Sequence, residues 1–244
     1  MQNRIFSIDS AKAIKAQEYG YLNAIHYLAP ASLSGWNLCP HASESCIAAC
    51  LGWESGQAGM VKNDKDLNSV RKSRIAKAKR FMTDRVNYMA DVVKSIELII
   101  KRAHNIGFIP CVRLNGSSDI AWEGIACVKD GVPYKNLMEA FPAVQFVDYT
   151  KNHARLLRAL PSNYHLTLSR HEKNESIALD MVKQGHNVAV VFDAIPETYK
   201  GLPVIDGDKH DLRHLDPKGV IVGLLPKGRK AKRDTSGFVV RIAA

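Results

Sequence analysis

The chain has 244 residues, 46% of them apolar, enough for one sizeable domain with a single core. No run of about 18 apolar residues occurs, so no membrane-spanning helix and no membrane partner are expected. The opening residues lack the long apolar stretch of a secretory signal, so the cytoplasm is the expected location. The net charge of +10 is compatible with a polyanionic partner such as nucleic acid, without establishing one.

Residues 1–66 hold one predicted strand, 21–28, and then a loop carrying Cys39, Cys46 and Cys50, which runs on through Gly52, Gly56 and Gly59. Residues 67–106 are helical by pattern. Asn68 is placed to cap a helix over 69–81. A second helix starts near residue 83 or 84 and ends at His104. Its apolar stripe is Val86, Met89, Val93, Ile96 and Ile100, widened by Val92 and Ile99, with Gly107 as terminator. From 107 to 244 the pattern alternates. Strands are predicted at 108–114, 144–147, 165–168, 187–192, 220–224 and 238–242. Helices are predicted at 134–141, 151–159 and 175–184. Short buried strands alternating with helices predict an α/β fold, a parallel-stranded full or partial (β/α) barrel forming one domain, with the cysteine loop near its N-terminus.

Five cysteines are an odd number, and a reducing compartment disfavours disulfides, so metal binding is the leading reading of the clustered three. Their spacing is Cys-x6-Cys-x3-Cys, without the paired knuckles of structural zinc. Three thiolates suit a [4Fe-4S] cluster with one iron left open. Zinc is the alternative, and three reduced cysteines that simply pack are the plainest account. His41, Cys111 or Cys127 is the candidate fourth ligand.

Polar residues recur at the predicted carboxyl ends of the strands, the edge where parallel α/β folds carry their sites. Arg113, Asn115, Asp119, Tyr149, Lys151, Ser169, Glu172 and Asp208 are the candidate site residues there. Against this stand turn-forming and capping roles for Asn115 and Asp119, and a capping turn for residues 148–151. Two basic runs, 71–80 and 227–233, carry the excess charge. They are candidate phosphate contacts, but aromatic residues for base stacking are scarce beside them.

The strings Leu33-Ser-Gly-Trp-Asn-Leu-Cys-Pro-His-Ala-Ser-Glu-Ser-Cys-Ile-Ala-Ala-Cys-Leu51, Arg113-Leu-Asn-Gly-Ser-Ser-Asp-Ile120 and Asp234-Thr-Ser-Gly-Phe-Val239 resemble phage proteins sharing the gene product eighty-eight domain. The likeness runs from about Tyr21 to the C-terminus. The cysteine loop ahead of βα units is also similar to radical-SAM barrels. That resemblance implies a four-iron cluster on Cys39, Cys46 and Cys50, with S-adenosylmethionine at the fourth iron. The spacing departs from the usual Cys-x3-Cys-x2-Cys, and the glycine-rich strand of those enzymes is not evident. Together these readings imply a phage-type iron–sulfur protein acting on an unknown small molecule or nucleic acid. The alternative is a DNA-binding, replication-associated protein with a structural metal.

Overall fold

A computed structural model describes residues 5–242. Residues 1–4, on which part of the leader reading rests, lie outside them. The chain opens with β1 (Phe6–Ser7), α1 (Ala11–Lys15) and β2 (Tyr21–His26). The cysteine loop carries α2 (Glu44–Ala48) and α3 (Leu51–Glu54). The long helices α4 (Ser69–Thr83) and α5 (Arg85–Asn105) lead to β3 (Ile109–Arg113). A hairpin of β4 (Cys127–Lys129) and β5 (Val132–Tyr134) follows, then α6 (Leu137–Ala140), β6 (Gln145–Thr150) and β7 (Tyr164–Ser169). The last part holds α7 (Glu175–Lys183), β8 (Val188–Phe192), β9 (Thr198–Tyr199), β10 (Leu202–Asp206), β11 (Ile221–Leu224), α8 (Arg229–Lys232) and β12 (Val239–Val240).

One sheet runs in the order β1-β2-β3-β6-β7-β8-β11-β10-β9, with β12 beside β8. The seven strands from β2 to β10 in that order are parallel, and β1 and β9 add antiparallel edges. β8 pairs with β7 through Val188 and Ala189, then with β12 through Val191 and Phe192. The chain is therefore mixed α/β with a mostly parallel sheet, as expected. A closed barrel is not formed: among the described residues no pairing joins the two ends of the sheet. Its edge strands are two residues long and antiparallel to their neighbours, so they offer no ladder for closure.

The two-residue period splits the sheet into two faces. Leu22, Val112, Phe146, Leu168, Val190 and Phe192 join the main core with the buried sides of α4, α5 and α7. On the other face Cys111 and Val147 pack with Ala16, Leu212 and Tyr21.

Helix α4 begins as read from the sequence: the Asn68 side chain accepts a hydrogen bond from the Arg71 amide at 2.9 Å. Its basic run is not merely a solvated face. Arg71 is fully buried, and its guanidinium donates to the carbonyl oxygens of Trp53, Ala58, Asp64 and Asp66, tying down the end of the cysteine loop. Helix α5 buries Tyr88, Val92, Ile96, Ile99 and Ala103 along one line. Val86 is 82% exposed, because it leaves the first turn away from that line.

Two predicted helices shrink. Over 151–159 only one turn forms, His153–Arg155, because the Asn152 side chain caps it and Arg155 is drawn inward to buried carboxylates. Over 134–141 the hairpin takes Tyr134, and Asn136 caps the short α6. The strand predicted at 238–242 is formed only at Val239–Val240.

Gly116 lies against β2, where an added Cβ would fall 2.6 Å from the His26 carbonyl oxygen and 2.7 Å from the Tyr27 ring. Backbone cannot yield as a side chain can. Gly116→Ala is expected to destabilise the protein by about 2 kcal/mol, read as a lower melting temperature in calorimetry. An unchanged melting temperature would show that the approach is looser.

Candidate functional site

The cysteine loop lies across the carboxyl ends of several parallel strands. Leu38 accepts through its carbonyl from the Asp119 amide at 2.8 Å, and the Ser117 hydroxyl donates to the Leu28 carbonyl at 2.6 Å. These bonds fix the loop to the turn after β3. Ser43 caps α2, accepting from the Cys46 amide at 3.1 Å and donating to Glu172 Oε2, beyond β7, at 2.9 Å. Cys46 and Leu51 pack on Val191 near the end of β8, on Phe238 and Val239 at the start of β12, and on Ala231 of α8. The loop thus touches the edge where the sequence places the site.

The three thiols sit close enough to act on one another. Burial pushes Cys39 up to about 11, and Cys46 pushes the same way. Burial pushes Cys50 up to about 12, with Cys46 and then Cys39 adding to it. The Ala31 amide donates to Cys39 Sγ at 3.3 Å, and a backbone bond at Gly52 favours the Cys50 thiolate. As free thiols both are protonated at neutral pH. Among the described residues, no three His, Cys, Asp or Glu side chains stand in an arrangement that could hold a metal ion. Of the candidate fourth ligands, Cys111 lies buried with Val147 and Leu212, Cys127 belongs to the hairpin and the main core, and His41 is exposed on the loop.

The other predicted residues divide. Lys151 and Ser169 meet at the edge, Nζ donating to Oγ at 2.7 Å, and Lys151 stands 5.5 Å from the centre of the Phe238 ring. Glu172 keeps one buried carboxylate oxygen, Oε1, without a partner. These three share the mouth with the cysteine loop. Asn115 and Asp119 hold the turn after β3. Asn115 donates to Asp148 Oδ2 and to the Ile120 carbonyl, and accepts from Ser118, Ile120 and Trp122. Asp119 pairs with Arg155 at 3.1 Å and accepts from the Lys151 amide. Arg113 pairs with Asp211 at 3.0 Å and lies 4.7 Å over the Tyr149 ring. Asp208 accepts from Lys227 and from the Leu225 amide, so it braces the second basic run.

Sequence reasoning missed Arg155 and the buried histidines. It also missed a polar layer on the second sheet face. Tyr149 and Thr167 are register partners there, and Val147 and His165 are the next pair. The Tyr149 hydroxyl, Thr167 Oγ1, His165 Nε2 and both ring nitrogens of His214 are buried without partners. Burial holds His165 and His214 near a pKa of about 4, so both are neutral, with Arg213 opposing charge on His165 and His165 opposing charge on His214. Alternation of Tyr149 and Val147, and of Thr167 and His165, within their strands was the available signal. It reads equally well as an exposed sheet face.

No helix among the described residues is long and apolar enough to cross a membrane. No curated protein and no solved structure matches this chain. The family model described as Gene product 88 matches residues 5–242, and that match lends no support to a radical-SAM likeness. Nearly the whole described chain is covered, so the protein belongs to the phage Gene product 88 family.

Proposed function

We propose that the protein is a metalloprotein in which Cys39, Cys46 and Cys50 hold an iron–sulfur cluster at the carboxyl edge of the sheet. What supports this is that the three thiols lie within electrostatic reach of one another on a loop bonded to the ends of β3 and β7, although as they stand they do not form a metal-holding group. The donor chemistry fits: three sulfurs suit a soft metal centre, and amide donors to Cys39 and Cys50 favour their thiolate forms. Binding has to displace the thiol protons and draw the three sulfurs closer. When bound, the cluster supplies electron transfer or an open iron site.

The chain's own residues hold and orient. Ser43 starts α2 and so aims the Cys46 backbone, and Glu172 steadies Ser43. Arg74 lies near Cys50 and favours its charged form. Lys151, Ser169 and the unpartnered oxygen of Glu172 offer one cation, one hydroxyl and one anion to a polar substrate at the same edge.

Anaerobic reconstitution with iron and sulfide tests the reading. Brown protein with broad visible absorption is expected, as is loss of most bound iron in Cys39→Ser, Cys46→Ser and Cys50→Ser, with Cys127→Ala unaffected. An altered electron-paramagnetic spectrum on adding S-adenosylmethionine would mark that molecule as the ligand of the open iron. A colourless protein holding one zinc per chain would replace the cluster with zinc. Full iron retention in all three serine variants would sink the site.

A further inference from the structure

The two basic runs, about 150 residues apart in sequence, come together across one cleft. It has a volume of about 1790 Å³ and is walled by α4, the loop around α3, the segment holding α8 and residues 6–11. The carboxylates there already have partners: Glu54 and Asp64 pair with Lys230, Glu54 also lies 3.8 Å from Arg71, and Asp9 accepts from the Ser7 hydroxyl at 2.9 Å. Lys227 is held by Asp208 and Arg113 by Asp211.

Among the described residues Arg74 and Lys77 have no such partner. Lys77 is 9% exposed, and its ammonium reaches only the Ile5 carbonyl, at 3.3 Å. Arg74 donates to the Gly52 carbonyl and lies 4.4 Å over the Tyr27 ring. Among the described residues no carboxylate influences either group. Arg74 opposes charge on Lys77, and burial opposes it more, holding Lys77 at a pKa of about 8. Two neighbouring cations removed from water without an anion are costly, unless an anion from outside completes them. On the opposite wall Arg229, Lys232 and Arg233 are exposed and form no ion pair with a described residue, though Arg229 lies near enough to Asp64 to act on it.

The space exceeds the roughly 300–1,000 Å³ that suits one small molecule. Its cations lie on two walls, which calls for a ligand with several phosphates in a row. Tyr27 and the buried Phe6 are the aromatic side chains along it, so contact with a sugar-phosphate backbone outweighs base stacking. A duplex is too stiff and wide to bring a phosphate down to a nearly buried lysine, whereas a single strand can follow the floor. We infer that this cleft binds single-stranded nucleic acid through its phosphates, one between Arg74 and Lys77 and the next ones along Arg229, Lys232 and Arg233. Arg74 also lies near Cys50, so the exposed Arg229, Lys232 and Arg233 are the cations that test this surface apart from the metal reading.

Fluorescence anisotropy with a short labelled oligothymidylate tests it, using the full chain as purified. Affinity is expected to fall with salt on a log–log slope of about −3.5, 0.7 for each of the five cations. The variant Arg229→Gln/Lys232→Gln/Arg233→Gln changes only exposed side chains and so keeps the fold. It is expected to bind at least about tenfold more weakly, with a slope shallower by about 2. Lys77→Met is expected to weaken binding similarly without a loss of melting temperature. Salt-insensitive binding, or equal binding by the wild type and the triple variant, would overturn the inference. So would competition by inorganic pyrophosphate at the oligonucleotide's own concentration, which marks a small-anion site. A duplex of the same length binding as tightly as the single strand would overturn the choice of strand.

Discussion

Arg155→Met is expected to destabilise the protein by about 3–5 kcal/mol, seen as a lower urea midpoint at neutral pH. Arg155 stands in a single turn after β6, and its side chain is only 4% exposed. It grips Glu123 with two bonds, Nε to Oε1 at 2.8 Å and a terminal nitrogen to Oε2 at 2.7 Å. Its other contacts are Asp119 Oδ1 and the Tyr164 hydroxyl, each at 3.1 Å. Tyr164 in turn donates to Asp148 Oδ2 at 3.0 Å, and the Asn115 amide donates to Asp148 Oδ1. Taking away the guanidinium leaves two carboxylates facing each other in a poorly hydrated place. The loss is larger than the worth of the pair itself, because the abandoned anions stay behind. The same change is expected to loosen the cysteine loop, since Asp119 holds Leu38 through its backbone and the turn beside Cys39. Reduced iron uptake should therefore accompany the lost stability. A midpoint shift worth under about 1 kcal/mol would mean that the network is open to solvent.

Acid is expected to unfold the protein through histidines that are buried uncharged. His26 is the clearest. Nδ1 lies 3.0 Å from the Leu114 carbonyl and Nε2 lies 2.6 Å from the Tyr88 hydroxyl, so Nδ1–H donates and Nε2 accepts. Burial, then Lys77, holds its pKa down to about 3 against an ordinary 6.5. The folded value is depressed, so the unfolded chain binds the proton first. The stability His26 contributes is present above pH 6.5 and is lost as pH falls toward 3, an effect of up to about 5 kcal/mol. His165 and His214, held near 4, act in the same direction between 6.5 and 4. Two buried carboxyls act against them. Burial raises Asp148 to about 7 and Asp216 to about 6, so the stability they contribute is present at low pH and lost as pH rises through those values. The difference between wild type and His26→Gln isolates the histidine. Glutamine keeps a donor and an acceptor but does not titrate. Urea midpoints at pH 7 and pH 4.5 should show the wild type losing about 2–3 kcal/mol more than the variant over that interval. Parallel losses would mean that His26 is solvated in the folded protein.

The long periodic elements were legible because their signals are local. Asn68 caps α4 with its own side chain, and the apolar line of α5 follows the helical period without help from the rest of the fold. Six of the seven parallel strands and the polar residues at their carboxyl ends were legible for the same reason: each buries a run of apolar side chains and stops at polar ones. The seventh, β10, was not predicted, because it lies near the sheet edge and buries none of its side chains fully. The short elements were not. The helix expected over 151–159 gave way because Arg155 gains more from buried carboxylates than a surface turn gains from continuing. Barrel closure depends on how the edges pair, and the local pattern of β1 or β9 carries no information about that.

The roles at the site divide along the same line. Asn115 and Asp119 read as either turn formers or site residues, and their bonds show that they build the turn after β3. The cysteine trio was visible as spacing, and its place across the strand ends depends on Ser43, Ser117 and Leu38 finding partners far along the chain.

From its amino acids alone this protein is a single α/β chain of the Gene product 88 type with three thiols in one loop and two cationic segments, because composition, period and spacing are properties of neighbours in sequence. Only the folded chain decided that the sheet stays open, that Arg71 and Arg155 serve buried partners, and that Arg74 and Lys77 face a cleft uncompensated. The reason is physical: the energy of a charge is set by how much water surrounds it and by which opposite charges share its space, and residues remote in sequence determine both.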